Sequence, residues 1–362
     1  MRVLIVKLSS IGDVVHTLPA AALLRKAVPD ARIAWVVERR AAAILKDSPV
    51  IDALIEVDSR AWRKQLLRGS GVGQIRDRLA ELRNGDGSNS SGRADIAIDF
   101  QGLIKSGLLA FASRAKRRIG FETAELREAP SRVFLTEQVA TSEIKHVIEK
   151  NLALAHAAVS GSSSLISEMP APGSYEFPIA VSTDDEKYVE AMIERKGAGF
   201  AIVNPGGGWP TKLWPAEHYA RLADWLWSDC GLATLVTYGP GEEKLAQSVA
   251  DKARSREAHP IASTLKQYVG LARRASLFVG GDTGPLHLAA ASGTPIVGIY
   301  GPTSAERNGP FDRRDITVGR DLWCRADCHR RSCWHWECMD IPLTEVQRAV
   351  VKRLSSAAEE SR

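Results

Sequence analysis

The sequence has no apolar segment long enough to cross a membrane or to form the core of a signal peptide. Its first apolar run, Val3–Val6, is followed by Lys7 and then by polar Ser9 and Ser10, whereas a spanning helix needs about 20 apolar residues. Five cysteines that include an isolated Cys230 fit a reducing compartment better than secretion. We therefore expect a cytoplasmic protein.

Two motifs that often accompany nucleotides are also missing. No Gly-x-Gly-x-x-Gly follows the first predicted strand, which disfavours a nicotinamide or flavin enzyme. No Asp-x-Asp pair is present to hold Mg²⁺ against a diphosphate. A diphosphate leaving group would then be neutralised by backbone dipoles and by cationic side chains.

The composition is that of a globular protein with one basic half. Of the 362 residues 44% are hydrophobic and 25% charged, which is enough for two domains with separate cores. Lys and Arg outnumber Asp and Glu by 25 to 18 in residues 1–160 but not in the remainder, where the count is 23 to 25. The basic half suits an anionic partner, and a merely solvated basic face is the alternative.

Alternating apolar runs predict two βα series, hence an α/β protein with parallel sheets. The predicted strands are 2–7, 32–37, 53–57, 96–100, 201–203, 232–237, 277–279 and 296–299. Residues 160–180 are rich in Ser, Gly and Pro and read as an interdomain linker, while 83–93 reads as an exposed loop. We predict an N-terminal domain over 1–165, a linker over 166–182, a second domain over 183–345 and a C-terminal helix or tail over 346–362.

Ligands of such sheets bind beyond the carboxyl ends of the strands, and the first unusual loop there covers residues 7–16. Gly12 permits a tight turn before Asp13. A carboxylate at this point can act as a general base toward a hydroxyl. Capping of the next helix is the ordinary alternative, and position alone favours it.

The second unusual loop, residues 204–215, places three glycines and Lys212 ahead of a helix. Approachable backbone N–H groups and a cation at a helix N-terminus predict a diphosphate site. The loop is not a Walker motif, because no glycine directly precedes Lys212. A flexible connection with a surface lysine is the alternative.

The third loop, residues 280–287, also follows an apolar strand. The Thr283 hydroxyl and the N–H of Gly284 stand at a helix start, where a phosphate is favoured. Asp282 would repel a phosphate, so we expect it to orient the loop or to bind ligand hydroxyls. For His287, a functional role and a core-packing role are equally open.

Four stretches of the chain resemble glycosyltransferase family 9, the lipopolysaccharide heptosyltransferases. They are VKLSSIGDVVHTLPA at 6–20, DFQGLIKSG at 99–107, KLWP at 212–215 and GGDTGPLHLAAASGTPIVGIYGPT at 280–303. Residues 60–64, 99–107 and 126–130 resemble the type I enzymes, whereas the Gly-rich Trp-Pro run before Lys212 departs from them.

The resemblance implies a GT-B fold, in which two Rossmann-like domains with parallel sheets face each other across a cleft. It also implies an inverting transferase that needs no metal, ADP-heptose as donor and Kdo₂-lipid A as acceptor. By this resemblance Asp13 becomes the general base, which a single displacement at the anomeric carbon requires. The lipid-linked acceptor would place the enzyme peripherally at the inner face of the cytoplasmic membrane.

The same resemblance assigns residues to the two substrates. The predicted catalytic residues are Asp13 and Lys212. The predicted donor-binding residues are Thr211, Lys212, Glu242, Asp282, Thr283, Gly284 and His287, with Glu243 as the alternative to Glu242 for the ribose. For the acceptor, Arg and Lys side chains that suit carboxylates and phosphates are Lys7, Arg60, Arg63, Lys64 and Arg127.

Four cysteines cluster near the C-terminus, namely Cys324, Cys328, Cys333 and Cys338. Their spacing is not that of paired C-x-x-C knuckles, so a structural zinc site is the lesser alternative and reduced or regulatory thiols are favoured. Nothing in the sequence indicates a catalytic metal.

Other functions remain open at this stage. Heptosyltransferase II, or a family 9 enzyme with another sugar or acceptor, is the nearest alternative. A non-catalytic nucleotide-sugar binding protein is more remote, because Asp13 and Lys212 are both present. No interleaving of aromatic and basic residues supports nucleic acid as a partner.

Overall fold

The computed structural model describes residues 1–59, 61–62, 93–160, 169–171, 173–194, 199–324, 328 and 332–360. The chain divides into two compact units, Met1–Ala180 and Val181–Arg362. The division falls within the stretch predicted as the linker, and each unit is built around its own parallel sheet.

The first unit contains a six-stranded parallel sheet in the order β3-β2-β1-β4-β5-β6. Its strands are β1 (Arg2–Val6), β2 (Arg32–Glu38), β3 (Ala53–Val57), β4 (Ile96–Asp99), β5 (Arg117–Phe121) and β6 (Glu137–Val139). Its described helices are α1 (Ile11–Val15), α2 (Leu18–Ala27), α3 (Arg39–Leu45), α4 (Ile104–Ala112) and α5 (Val147–Val159). Short 3₁₀ turns cover Thr123–Glu125 and Ala129–Phe134.

The second unit repeats this arrangement with the order β12-β11-β10-β7-β8-β9. Its strands are β7 (Phe200–Asn204), β8 (Ala233–Thr237), β9 (Ala258–Ile261), β10 (Leu277–Gly281), β11 (Ile296–Ile299) and β12 (Ile316–Val318). Its described helices are α6 (Thr183–Glu194), α7 (Ala216–Cys230), α8 (Glu243–Lys252), α9 (Leu265–Ala272), α10 (Gly284–Ala291), α11 (Ala305–Asn308) and α12 (Leu343–Glu360). A 3₁₀ turn covers Pro210–Lys212 and another covers Glu337–Met339.

Both sheets have a point at which the strand order reverses. In the first unit β1 lies between β2 and β4, with Val6 opposite Asp99. In the second unit β7 lies between β8 and β10, with Asn204 opposite Gly280. At such a point the loops that follow the two neighbouring strands turn away from each other, and a crevice forms between them at the carboxyl ends of the strands. The loops that carry Asp13, Lys212 and Asp282 all start there.

The sequence predictions for the strands are confirmed where the strands are continuous apolar runs, as expected for strands covered on both faces. Four strands were not predicted: β5, β6, β9 and β12. Pro215 precedes the first residue of α7 and Pro285 is the second residue of α10, and both are positions at a helix start that proline tolerates. Gly293 follows α10 with a φ of +80°, the left-handed conformation with which glycine commonly ends a helix.

Two further sequence predictions have an outcome in the fold, and a third falls almost entirely outside the described residues. The C-terminal segment predicted as a helix or tail is the helix α12, and it packs on β11 and β12. Among the helices that the structure describes, none is both long and apolar enough to span a bilayer. The predicted loop at 83–93 lies outside the described residues, except for Arg93.

Candidate active site

The loop after β1 places Asp13 in the first turn of α1. Its Oδ2 accepts hydrogen bonds from the backbone N of Ser10 (2.7 Å) and from the Ser10 hydroxyl (3.1 Å). The sequence favoured Asp13 as the cap of the following helix, but the N-cap is Ser10, and Asp13, at the third position of α1, bonds back to it as in a capping box. The Asp13 side chain remains 15% exposed, and its Oδ1 faces two cations. Capping and a chemical role are therefore compatible, since they use different oxygens.

Lys7 is the first of these cations and is almost completely buried. Its Nζ donates to the carbonyl of Phe100 at 2.7 Å and lies 3.8 Å from Asp13 Oδ1. Lys7 was predicted to bind the acceptor, but only 3% of its side chain is exposed. The geometry favours an electrostatic role at Asp13 over contact with an acceptor.

Arg127 is the second cation, and it lies between the two 3₁₀ turns of the first unit. Its Nη2 is 3.1 Å from Asp13 Oδ1, and 42% of the side chain is exposed. This exposure leaves it able to meet an anion, as predicted. The other predicted acceptor residues, Arg60, Arg63 and Lys64, lie outside the described residues.

The pKa of Asp13 reflects these neighbours. Burial alone would raise it, but Lys7, Arg127, the backbone N–H of Ser10 and His16 outweigh burial and hold the pKa well below its usual range. Asp13 is consequently a carboxylate at every physiological pH. That is the protonation state a general base needs.

Gln101 holds the same loop and was not singled out from the sequence. Its buried Oε1 accepts from the backbone N of Leu8 (3.1 Å) and of Ser9 (3.2 Å). The turn that carries Gln101 is itself fixed by Asp99, whose Oδ1 accepts from the backbone N of Gln101 and of Gly102. The loops after β1 and β4 are thus tied together beside Asp13.

Asp99 is buried and bonded also to Ser106 Oγ at 3.0 Å. Burial raises its pKa to about 6, against the opposing effect of its hydrogen bonds and of Lys7. Asp99 begins the stretch 99–107 that resembles the family, but no role for its side chain was assigned from the sequence.

The second unit brings Lys212, Asp282 and His287 together at its strand-order reversal. Lys212 Nζ lies 2.6 Å from Asp282 Oδ2 and 3.0 Å from the Asp282 carbonyl. His287 Nε2 lies 3.1 Å from Asp282 Oδ1. Burial alone would raise the pKa of Asp282, but His287 and Lys212 outweigh it and hold the pKa well below its usual range. Asp282 therefore orients the loop, one of the two roles expected for it.

Asn308, at the end of α11, completes this cluster and was not predicted. Its Nδ2 donates to Asp282 Oδ1 at 2.8 Å. The cluster lies beside the start of α10, where Thr283 occupies the N-cap position, its hydroxyl donating to the Gly281 carbonyl, and Gly284 is the first helical residue. Backbone N–H groups at a helix start and a lysine at one place form an arrangement that can bind phosphate.

The Gly-rich loop approaches the same strand ends. Lys212 Nζ lies 4.7 Å from the centroid of the Trp209 ring, a cation–π contact. Thr211 is buried, and its carbonyl accepts from Trp336 Nε1 at 3.1 Å. The Cys-rich segment of the second unit therefore touches the loop that carries Lys212.

Glu242 and Glu243 point to different places. Glu242 is half-buried, accepts from the backbone N of Gly239 at 2.9 Å, and lies so close to Gly206 that a methyl group there would overlap its carboxylate. Glu243 is exposed and contacts Gly241. Of the two alternatives, the geometry favours Glu242 as the residue that faces a ligand.

The four clustered cysteines are all free thiols. His335 lies between two of them, with Nε2 3.3 Å from Cys324 Sγ and Nδ1 3.0 Å from Cys333 Sγ. A metal needs ligands that converge on one point, and within the described residues no group of three or more His, Cys, Asp or Glu side chains does so. The alternative of a structural zinc gains no support.

Comparison with known proteins identifies the group to which the chain belongs. The model of glycosyltransferase family 9 (heptosyltransferase) matches residues 90–335, more than half of the chain. The chain belongs to glycosyltransferase family 9. The resemblance seen in the sequence is confirmed, and with it the class of enzyme, a glycosyltransferase of the heptosyltransferase type.

Individual relatives agree with this family. Lipopolysaccharide heptosyltransferase 1 of Pseudomonas aeruginosa is 29% identical over 345 residues, which cover 92% of this chain and 87% of the relative. The structure of E. coli heptosyltransferase WaaC with ADP has 25% identity and a TM-score of 0.74, over 98% of this chain and all of WaaC. WaaC with ADP-2-deoxy-2-fluoro heptose matches at 25% identity, a TM-score of 0.69 and full coverage of both chains. The predicted GT-B class, with two parallel α/β units, is confirmed.

Proposed function

We propose that this family 9 enzyme transfers L-glycero-D-manno-heptose from ADP-heptose to a Kdo sugar of Kdo₂-lipid A, with inversion of the anomeric carbon. The observation that carries the proposal is the Asp13 carboxylate, which is held at the end of β1 with one oxygen directed at two cations. A base beside cations suits a hydroxyl on an acidic sugar.

The second unit supplies the features that a nucleotide diphosphate needs. Lys212 and the start of α10 would neutralise the charge that develops on the departing diphosphate. Glu242 would accept the ribose hydroxyls, since a carboxylate is a strong acceptor for paired O–H donors. The ADP and the ADP-heptose analogue in the two WaaC structures support this donor.

The reaction then needs one base and no covalent intermediate. The acceptor hydroxyl gives its proton to Asp13 as its oxygen forms a bond to the anomeric carbon. The bond from that carbon to the β-phosphate breaks, and its electron pair leaves with ADP. We propose that this step needs no metal ion, because Lys212 and the N–H groups at the start of α10 would neutralise the charge that develops on the leaving diphosphate.

Transfer to a lipid-linked acceptor would bring the protein to the cytoplasmic face of the inner membrane as a peripheral protein. The basic excess of the first 160 residues supports attraction to such an anionic surface. Sedimentation with vesicles that contain anionic lipid, compared with neutral vesicles, tests this part separately from the chemistry.

The test of the chemistry is ADP release from ADP-heptose with Kdo₂-lipid A, measured with and without EDTA. Wild-type turnover should not respond to EDTA. Asp13→Ala should lower kcat by about 10²- to 10⁴-fold, the usual contribution of a general base, while ADP binding by calorimetry stays unchanged.

Three other results would each contradict one part of the proposal. Turnover that survives in Asp13→Ala would remove Asp13 as the base. Loss of turnover in EDTA that added Mg²⁺ restores would contradict the metal-free step. Absence of turnover in a protein that binds ADP-heptose would favour heptosyltransferase II or another family 9 acceptor.

A further inference from the structure

The two oxygens of Asp13 are held by different parts of the chain. Oδ2 is bonded within its own helical turn, by the backbone N and the hydroxyl of Ser10. Oδ1 meets cations from outside that turn, Lys7 directly after β1 and Arg127, which lies 114 positions along the chain. Proton transfer to Oδ2 would compete with the helix cap, whereas transfer to Oδ1 leaves α1 undisturbed.

The two cations at Oδ1 also differ in their freedom. Lys7 is buried, and the Phe100 carbonyl holds its Nζ at 2.7 Å, so it stays in place. Arg127 is 42% exposed and approaches Oδ1 through a single nitrogen at 3.1 Å. A guanidinium has only donors, so where it lies against Oδ1 it competes with an acceptor hydroxyl for the same oxygen.

We propose that Asp13 Oδ1 is the oxygen that takes the acceptor proton, and that Arg127 covers it until an anionic acceptor draws the guanidinium away. The proposal rests on the function proposed above. An acceptor carboxylate can form two parallel hydrogen bonds with a guanidinium, in place of the one that Arg127 makes with Asp13. Binding of the acceptor carboxylate to Arg127 thereby exposes Asp13 Oδ1 to the acceptor hydroxyl.

The electrostatic effect of Arg127 on Asp13 supports the same proposal as its position does. The titratable groups that act on Asp13 are Lys7, Arg127 and His16, and all of them favour its ionised form. A base whose pKa lies far below the working pH accepts a proton poorly. Withdrawal of Arg127 removes one of these charges, which raises the pKa of Asp13 and makes it a stronger base.

The decisive experiment compares an acidic acceptor with its neutral methyl ester in wild type and in Arg127→Gln. Wild type should turn over the ester with a kcat lowered by about a hundredfold, because the base stays covered. Arg127→Gln should bind the acidic acceptor more weakly, yet turn over the ester about tenfold faster than wild type does. Arg132→Gln, an exposed arginine in the neighbouring 3₁₀ turn, is the matched control and should behave as wild type with both acceptors.

The alternatives give other patterns. If Arg127 only binds the acceptor, Arg127→Gln will leave ester turnover at the wild-type value. If Arg127 is needed to orient Asp13, the variant will be slower with both acceptors. Either pattern overturns the proposal.

A readout without turnover separates this proposal from the function on which it rests. The ¹³C signal of the Asp13 carboxyl, assigned by its loss in Asp13→Asn, should titrate at higher pH when free Kdo is added to wild type. In Arg127→Gln without Kdo, the Asp13 signal should titrate at a higher pH than in wild type, and the addition of Kdo should not change that pH. An unchanged titration in wild type with Kdo bound would refute the exchange, whereas turnover retained in Asp13→Ala would refute the proposed base instead.

Discussion

The Asp13 side chain is compatible with both roles that its sequence position suggested, a contact at the start of a helix and a general base. An Asp at the start of a helix is usually explained by capping, and the Ser10 contacts at Oδ2 are of that kind. The other oxygen is left for charged partners from outside the helix. The helix contact fixes the orientation of the carboxylate, and fixed orientation is what a base requires.

Glu242 is the residue that we expect to hold the ribose of the donor. Its carboxylate lies against Gly206 in the loop that leads to Lys212, whereas the Glu243 side chain is exposed. Glu242→Ala should raise the Kd for ADP about tenfold, the effect of losing a hydrogen bond to a charged group. Isothermal titration calorimetry measures this directly.

Two further variants sharpen that measurement. Glu243→Ala removes the same charge one residue away and should leave the Kd for ADP unchanged. Gly206→Ala adds a methyl group that overlaps the Glu242 carboxylate, so it should weaken ADP binding without removing any charge. Equal effects of Glu242→Ala and Glu243→Ala would point to general electrostatics rather than a contact.

At the scale of elements, the loop after β1 depends on the loop after β4. The Gln101 carboxamide accepts from two successive N–H groups, of Leu8 and Ser9. Gln101→Met keeps the length of the side chain but leaves both N–H groups without this acceptor. We expect kcat to fall by about ten- to a hundredfold, because a shift near 1 Å in a catalytic group has an effect of this order.

Rescue distinguishes positioning from general destabilisation. Gln101→Glu retains an acceptor oxygen of the same reach and should recover most of the lost kcat. The KM for ADP-heptose should be unchanged in both variants, because the donor residues belong to the other unit. If Gln101→Met and Gln101→Glu lose kcat equally, the proposed role in positioning is wrong.

The sequence predicted those elements whose pattern is purely local. Strands such as Ile296–Ile299 are short apolar runs, and the loops that follow them were identified from Gly, Thr and Lys at strand ends. β5 was missed because it begins with Arg117 and Arg118, whose side chains reach Glu137 and the carbonyl of Phe134. β9 was missed because it contains Pro260, which an edge strand tolerates.

The missed site residues share a physical reason. Asn308 meets Asp282 across 26 positions of sequence, and Gln101 meets Leu8 across 93. Neither residue carries a charge or a spacing that marks it, and only the folded sheet brings the partners together. Lys7 was assigned to the acceptor because sequence gives its charge but not its burial.

At the scale of the whole molecule, each unit uses the same device to build a site. The first strand of each sheet lies at the reversal of strand order, and the loops from it and its later neighbour meet at the carboxyl ends. In the first unit this places Gln101 beside the Asp13 loop, and in the second it places Lys212 beside Asp282.

A buried ion pair joins the C-terminal helix of the second unit to the residue before β12. This pair should dominate the pH dependence of that unit's stability. Arg353 of α12 lies 2.8 Å from Asp315, which precedes β12, and both side chains are almost fully buried. Arg353→Met should lower the free energy of unfolding of this unit by about 3–5 kcal/mol at pH 8, because it leaves a buried charge without its partner. Lys352→Met changes the exposed neighbour on the same helix and should have little effect.

The pH dependence identifies the cause of that loss. Burial raises the pKa of Asp315 to about 6 despite Arg353, above the value of 3.8 that it would have in an unfolded chain. The folded state therefore binds more protons between these values, and the stability contributed by Asp315 is present at low pH and lost as pH rises through about 6. Without Arg353 the charged carboxylate is less favoured still, so Arg353→Met should be closer to wild type at pH 5 than at pH 8. Differential scanning calorimetry at both pH values tests this, and a loss that is the same at pH 5 and pH 8 would show that packing of α12, not the charge of Asp315, is what Arg353 provides.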